Sequence, residues 1–215
     1  MDLVAIAQAN REVLVAGVLS DALDVLGAKD QILTGWKANL PKGQALGRAR
    51  TIELIEAKGA KERFDLTLSL IDDMNYNEVL VIAGLEHVAY FGEMMGTFAS
   101  EKQLGGVVVD GATRDSLKTR DLAVPIFARN YSPVDIKGRG CVKSIDTPIL
   151  LGGRVACNQG DFIYADPDAV VVIPREIEEE IIPIILDILA EERRIAASLK
   201  QGATARELFT TFESF

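Results

Sequence analysis

Three consecutive valines, Val107 to Val109, stand between Gly105-Gly106 and Asp110-Gly111. Three β-branched residues bounded by turn formers predict a short buried strand over Leu104 to Asp110, closed by a tight turn at Asp110-Gly111. The segment before it, Glu93 to Gln103, has Met94, Met95, Phe98 and Leu104 near helical spacing and predicts a helix. Helix, strand and then Asp110-Gly111-Ala112-Thr113-Arg114-Asp115 would bring two places together. One is the helix start at Gly92-Glu93-Met94-Met95; the other is the segment after the strand that carries Arg114 and Asp115.

The chemistry of that pairing is specific. A helix N-terminus presents unpaired backbone N–H groups and a partial positive charge, so it can hold a small anion such as a carboxylate. A nearby arginine adds a two-pronged clamp for the same carboxylate. An aspartate beside it can ligate a hard divalent cation that keeps several waters. Together Gly92, Glu93, Met94, Met95 and Arg114 would bind a 2-oxo acid by its carboxylate, with Asp115 as the metal ligand. The plainer alternative is a surface Arg-Asp pair in which Asp115 caps a helix, and the dipeptide alone favours it.

At 215 residues, 48% apolar and 26% charged, the chain suits one globular domain, taken here as 1–215 with a C-terminal helical segment at about 176–212. The net charge of −9 and the lack of any arginine-rich run argue against nucleic acid as a partner. No apolar run is long enough to span a membrane. The start, MDLVAIAQANREV, has neither a basic head nor a long apolar core, so no export signal is expected, and a cytoplasmic protein is. Cys141 and Cys157 fit no metal spacing and read as reduced thiols. His87 is the only histidine, which excludes His-rich zinc sites and His relays; it reads as structural or peripheral. No G-x-S-x-G, G-x-G-x-x-G or phosphate-loop pattern is present, and Gly105-Gly106 precedes a strand rather than a helix.

Elsewhere, the pattern predicts helices over 2–15, 22–26 (capped by Ser20-Asp21 and ended by Gly27) and 61–71. It predicts strands over 45–56, 78–83 and 124–128, and a hairpin of 160–166 with 169–173. Residues 116–121 read as a short helix and 130–140 as loop. A long helix over 176–200 should kink or restart at Pro183, with Gly202 ending it and Thr204 capping a last short one.

Gly92-Glu93-Met94-Met95 and Gly106-Val107-Val108-Val109-Asp110-Gly111-Ala112-Thr113-Arg114-Asp115 resemble one family, as do Ser20-Asp21-Ala22-Leu23, Pro125-Ile126-Phe127-Ala128-Arg129, Ser132-Pro133 and Gly160-Asp161 with Asp166 and Pro174. It is the family of 4-hydroxy-4-methyl-2-oxoglutarate / 4-carboxy-4-hydroxy-2-oxoadipate aldolases, which shares its fold with the regulator of ribonuclease activity A (RraA-like). The likeness covers nearly the whole chain. Its most specific mark is the twenty residues between the acid, Glu93, and Arg114-Asp115. The resemblance implies an α/β single domain with a mixed β-sandwich core flanked by helices, of the swivelling β/β/α type. It implies homotrimers or dimers of trimers with sites at subunit interfaces. It also implies a divalent cation, Mg²⁺ or Mn²⁺, on Asp115, and pyruvate held by Arg114 and the amides of Met94 and Met95. This chain departs from the family in having Glu93 where aspartate is common, Met94-Met95 for leucines, and Tyr76-Asn77-Glu78 for Pro-Gly-Asp. The expected activity is cleavage of 4-hydroxy-2-oxo acids to pyruvate with Glu93 as base, and oxaloacetate decarboxylation on the side. The alternative is a non-catalytic protein-binding regulator of ribonuclease activity.

Overall fold

The computed structural model describes residues 2–212. Helices α1 (Leu3–Ala9) and α2 (Ala16–Leu26) precede strands β1 (Ile32–Thr34), β2 (Lys37–Ala38) and β3 (Ala45–Glu56), then helix α3 (Phe64–Asp73). Strand β4 (Val79–Ala83), strand β5 (Ala89–Phe91), helix α4 (Glu93–Glu101) and strand β6 (Gly106–Thr113) follow, with the single-turn α5 (Ser116–Thr119) behind them. Strands β7 (Ile126–Tyr131), β8 (Gly140–Ile145), β9 (Ile149–Leu151), β10 (Val155–Cys157), β11 (Phe162–Ala165) and β12 (Ala169–Ile173) lead to helices α6 (Glu178–Lys200) and α7 (Ala205–Thr211).

Ten strands form one mixed sheet in the order β1-β12-β11-β3-β4-β6-β7-β2, with β8 also on β3 and β5 also on β6; β9 and β10 make a separate hairpin. The sheet turns on β3, whose first residues pair antiparallel with β11 while Ala49 to Glu53 pair parallel with β4. The curl gives three apolar clusters, and alternation along each central strand assigns its side chains. Val107 and Val109 go to the cluster under α3 and α4, whereas Val108 goes to the inner cluster shared with the β9–β10 hairpin. A strand covered on both faces has no polar face to show, which is why three valines run together. The remaining cluster packs α1, α2 and α6 on β11 and β12. The sandwich core expected from the sequence is thus one curled sheet with flanking helices.

Several sequence expectations are corrected. The valine strand does not end at Asp110-Gly111: it passes through an irregularity between Val109 and Ala112 and continues to Thr113. The glycines before it serve close backbone approach. A Cβ at Gly105 would lie 2.3 Å from the Leu46 carbonyl oxygen, and one at Gly106 would lie 2.2 Å from Ala45 Cβ. The first helix stops at Ala9, and α2 begins at Ala16, so Ser20 and Asp21 lie inside it. Its buried first amide is met from afar, by Ala16 N–H donating to Asp166 Oδ2 at 2.8 Å. Residues 130–140 start as strand, and β8 and β9 were not foreseen. Pro183 sits within an unbroken α6, with no restart. Strand β3, the hairpin β11–β12, Gly27 as the end of α2 and Thr204 as the cap of α7 stand as expected; Gly27 is left-handed, and Glu207 completes a capping box with Thr204.

The acid run at the start of α6 conceals a structural ion pair. Buried Glu178 accepts from Arg48 Nη1 at 2.6 Å and Nη2 at 2.7 Å, and from Leu3 N–H at 2.9 Å; Asp2 also pairs with Arg48. The Arg48 hydrogen bond pulls the Glu178 carboxyl down to about 2. A carboxyl lowered in the folded state stabilises above its unfolded pKa and loses that contribution as pH falls toward the folded value. Stability is therefore expected to drop between about pH 4.5 and pH 2. Glu178→Ala should cost on the order of 3 kcal/mol at neutral pH, because it orphans the Leu3 amide and leaves Arg48 only the exposed Asp2 carboxylate and the Gly160 carbonyl. Urea midpoints across this pH range check both, and a variant with the wild-type acid profile would contradict them.

Candidate functional site

The site stands at the ends of the parallel strands, where β5 pairs with the far half of β6, Phe91 opposite Thr113. The Phe91 carbonyl accepts from Arg114 N–H at 3.0 Å and from Thr113 Oγ1 at 2.8 Å. Gly92, which precedes α4, therefore lies against Arg114 and Asp115. Glu93 N–H donates to Asp115 Oδ2 at 3.1 Å, so Asp115 does cap a helix, but that helix is α4, twenty-two residues back. The amides of Met94 and Met95 have no partner within the helix and no other backbone acceptor among the described residues. Met95 is buried and Met94 exposed, so the two share only their amides as common chemistry at this end.

Arg114 and Asp115 are each partly exposed, at 36% and 39%. The Arg114 Nε lies 3.5 Å from Asp115 Oδ2, and its Nη1 donates to Asp135 Oδ2. Asp115 Oδ1 makes no hydrogen bond or ion pair among the described residues. The backbone of Asp115 is left-handed, with φ +59°, a conformation that carries a modest strain in any residue with a side chain. Two cavities meet at this pair. One of about 240 Å³ is lined by Gly92, Met94, Met95, Arg114, Asp115 and Asp135, with Phe64 and Tyr90 stacked behind at 5.0 Å. The other, of about 320 Å³, is lined by Arg114, Asp115, Ser116, Tyr131, Ser132 and Pro133. Burial pushes the Tyr90 hydroxyl up to about 12, so at neutral pH it is a hydrogen-bonding group and not a base.

Of the six residues singled out in the sequence, Gly92, Met94, Met95, Arg114 and Asp115 line one cavity. Glu93 contributes its amide, while its side chain is exposed and lines neither cavity. Asp135 was missed. It lies in a segment that reads as loop, yet a parallel bridge to Ala89 ties it to β5 beside Arg114. Burial opposes its charge, but the Lys137 amide and Arg114 outweigh that and lower its pKa. His87 is exposed and peripheral, as expected. Among the described residues no three His, Cys, Asp or Glu side chains gather into a metal cage. A cation such as Mg²⁺, which keeps most of its waters and needs only one or two carboxylates, fits the free Oδ1 of Asp115; a closed zinc-type site does not.

Gly92 is fixed by space. A Cβ there would sit 2.5 Å from Asp115 Oδ2 and 2.9 Å from Arg114 Cγ. Gly92→Ala should displace both side chains and lower turnover of any 2-oxo acid by about 10²-fold, the scale of an ångström-sized misplacement. Its melting temperature should move little. Steady-state kinetics beside a thermal melt separate the two effects, and unchanged kinetics would show that the pair is not the reacting centre.

A curled mixed sheet thus carries a helix N-terminus, an arginine and a free carboxylate oxygen together at its strand ends, in an α/β protein. Residues 16–172 match the family described as RraA-like, Aldolase/RraA, and the chain belongs to that family. It is 31% identical over 166 residues to a protein named putative 4-hydroxy-4-methyl-2-oxoglutarate aldolase from Halalkalibacterium halodurans, a match covering 76% of this chain and 74% of that protein. It is 28% identical over 192 residues to protein DlpA of Legionella pneumophila, covering 88% of this chain but only 31% of DlpA. The solved structure of Streptomyces coelicolor RraAS2, described as an unusual member of the RNase ES inhibitor RraA protein family, superposes with a TM-score of 0.72 at 26% identity, covering 86% of this chain and 91% of that one. No helix among the described residues is long and apolar enough to cross a membrane.

Proposed function

We propose that this protein is a divalent-metal-dependent lyase that cleaves short 4-hydroxy-2-oxo acids, dicarboxylic ones foremost, to pyruvate and a second carbonyl compound. The observation that carries this reading is the single cavity lined by Arg114, Asp115 and the first turn of α4. Arg114 holds the substrate carboxylate and offsets its charge, using the Nη2 group left free by Asp115 and Asp135. The amides of Met94 and Met95 take further oxygens of the same pyruvyl unit. Asp115 would hold Mg²⁺ or Mn²⁺, which when bound would supply electrophilic stabilisation of the developing enolate. Glu93, whose side chain stands outside both cavities, accepts the proton of the 4-hydroxyl directly or through an ordered water. The C3–C4 bond then breaks, C4 becomes a carbonyl carbon, and the electron pair passes to the pyruvyl unit as its enolate, which is protonated at C3. Oxaloacetate decarboxylation reaches the same enolate without any hydroxyl proton to remove.

The reading includes a homotrimer or a dimer of trimers in the cytoplasm, a neighbouring copy completing the two open cavities. Pyruvate release from a panel of 4-hydroxy-2-oxo acids, with and without EDTA, tests the activity; no release from any member in Mg²⁺ or Mn²⁺ would overturn it. In the same assay Glu93→Gln should lower aldol cleavage by about 10²–10⁴-fold and oxaloacetate decarboxylation much less. Equal loss of both reactions would take the base role from Glu93.

The second reading, a regulator that binds a ribonuclease, is favoured by the likeness to RraAS2 and by an acidic chain of net charge −9 suited to a basic partner. It predicts ribonuclease inhibition that survives Asp115→Asn.

A further inference from the structure

The C-terminal helices carry a surface that the site chemistry does not use. Helix α6 has 23 residues, about 34 Å at the usual rise. Its buried residues, Glu178, Ile181, Ile185 and Leu189, all lie in its first half. The second half runs past the core beside α2, and the two leave a groove of about 750 Å³ lined by Val25, Ile188, Ile195, Ala196 and Leu199. Val25 is 70% exposed and Leu199 52%. Two acids, Asp21 and Glu192, stand in the same groove, and neither has an ion-pair partner among the described residues. Partial burial and Asp21 together raise the Glu192 carboxyl, in keeping with negative charge left uncompensated there. The groove lies outside residues 16–172 for all but its α2 side.

A matching element sits at the end of the same chain. Helix α7 is held on its own chain by Leu208, which is buried, and is fixed at its start by the Thr204–Glu207 capping box. It turns Phe209 outward at 66% exposure. Arg206, one turn before Phe209 and so on the same face, is exposed and has no acid partner among the described residues. One large apolar side chain and one cation at (i, i+3) complement an apolar groove that holds two unpaired carboxylates. The linker Gln201–Ala203 keeps α7 at the tail of its own α6, and there its own groove stays open.

We propose that the groove between α2 and α6 receives α7 of a second copy of this chain: Phe209 packs on Val25, Ile195 and Leu199, and Arg206 pairs with Asp21 and Glu192. Exchange in both directions makes the contact two-fold, burying the same patch on both copies. The contact is separate from Arg114 and Asp115, so it pairs protomers or rings of protomers whatever the lyase site does.

Light scattering on the full chain tests it. The wild type should have a mass that is an even multiple of 23.3 kDa. Phe209→Glu and Val25→Glu should each halve that mass with an unchanged circular dichroism spectrum. Arg206→Glu should also halve it, and adding Glu192→Arg should restore it. Mixing Val25→Cys chains with Phe209→Cys chains under mild oxidation should give a disulfide-linked heterodimer that neither gives alone. An unchanged mass in Phe209→Glu, or no heterodimer in the mixture, would overturn the proposal. So would a double Cys variant that closes only within one chain, since α7 would then cover its own groove.

Discussion

Asp115→Asn is expected to lower metal-supported pyruvate release by roughly 10³-fold, the equivalent of about 4 kcal/mol of charge stabilisation withdrawn from the reacting oxygen. The substitution is chosen to isolate charge. Asparagine tolerates the left-handed backbone that Asp115 adopts at φ +59°, and its amide oxygen can still accept from Glu93 N–H, as Asp115 Oδ2 does at 3.1 Å. The cap on α4 should survive and the melting temperature should stay close to wild type. What goes is the anionic Oδ1. Calorimetric titration with Mn²⁺ should show affinity falling at least tenfold. Wild-type Mn²⁺ affinity in a folded Asp115→Asn protein would place the metal elsewhere and remove the central step of the reading.

Arg114→Lys should cost roughly 10²-fold in kcat/KM, most of it as weaker binding of the carboxylate. Arg114 serves three groups at once: Nη1 reaches Asp135, Nε faces Asp115, and Nη2 is left for a ligand. A lysine keeps the positive charge but is a single point on a flexible stem, and it cannot face two carboxylates and a substrate in one plane. Competition by pyruvate or oxalate measures the effect without turnover. A lysine variant that bound pyruvate normally would show that the amides of α4 suffice and that Arg114 is a structural partner of Asp135.

The parts of this molecule that were legible in the sequence are those whose cause is local. Strand β3 was read to its ends because its composition and flanking turns are its own. The helix start at Glu93 and the Arg114-Asp115 pair were legible because chemistry concentrates there in few residues. What was not legible has its cause far along the chain. Ser20-Asp21 carries a good local cap signal, but α2 starts earlier because Asp166, 150 positions away, satisfies the Ala16 amide. Asp110-Gly111 has the signature of a turn, yet β7 pairs with β6 before it at Val109 and again after it at Ala112, so the strand runs on across an irregularity. Asp135 carried no signal at all: only its bridge to Ala89 makes it part of the site. Glu178 read as one of several acids suited to a helix start, and its pairing with Arg48 depends on a strand 130 positions earlier.

The spacing of Glu93 and Arg114 looks like a ruler made of chain, but the measuring is done by one carbonyl. Phe91 C=O takes both the Arg114 amide and the Thr113 hydroxyl, and these two bonds hold Gly92 against the arginine. The residues between travel out through α4 and back along β6 without setting that distance. Insertions or deletions in that excursion should therefore be tolerated by the site as long as β5 and β6 keep their alignment. A shift of one residue between those two strands, with no change in length, would separate the amides from the guanidinium. What the site requires is then the short strand Ala89–Phe91 and its register on β6.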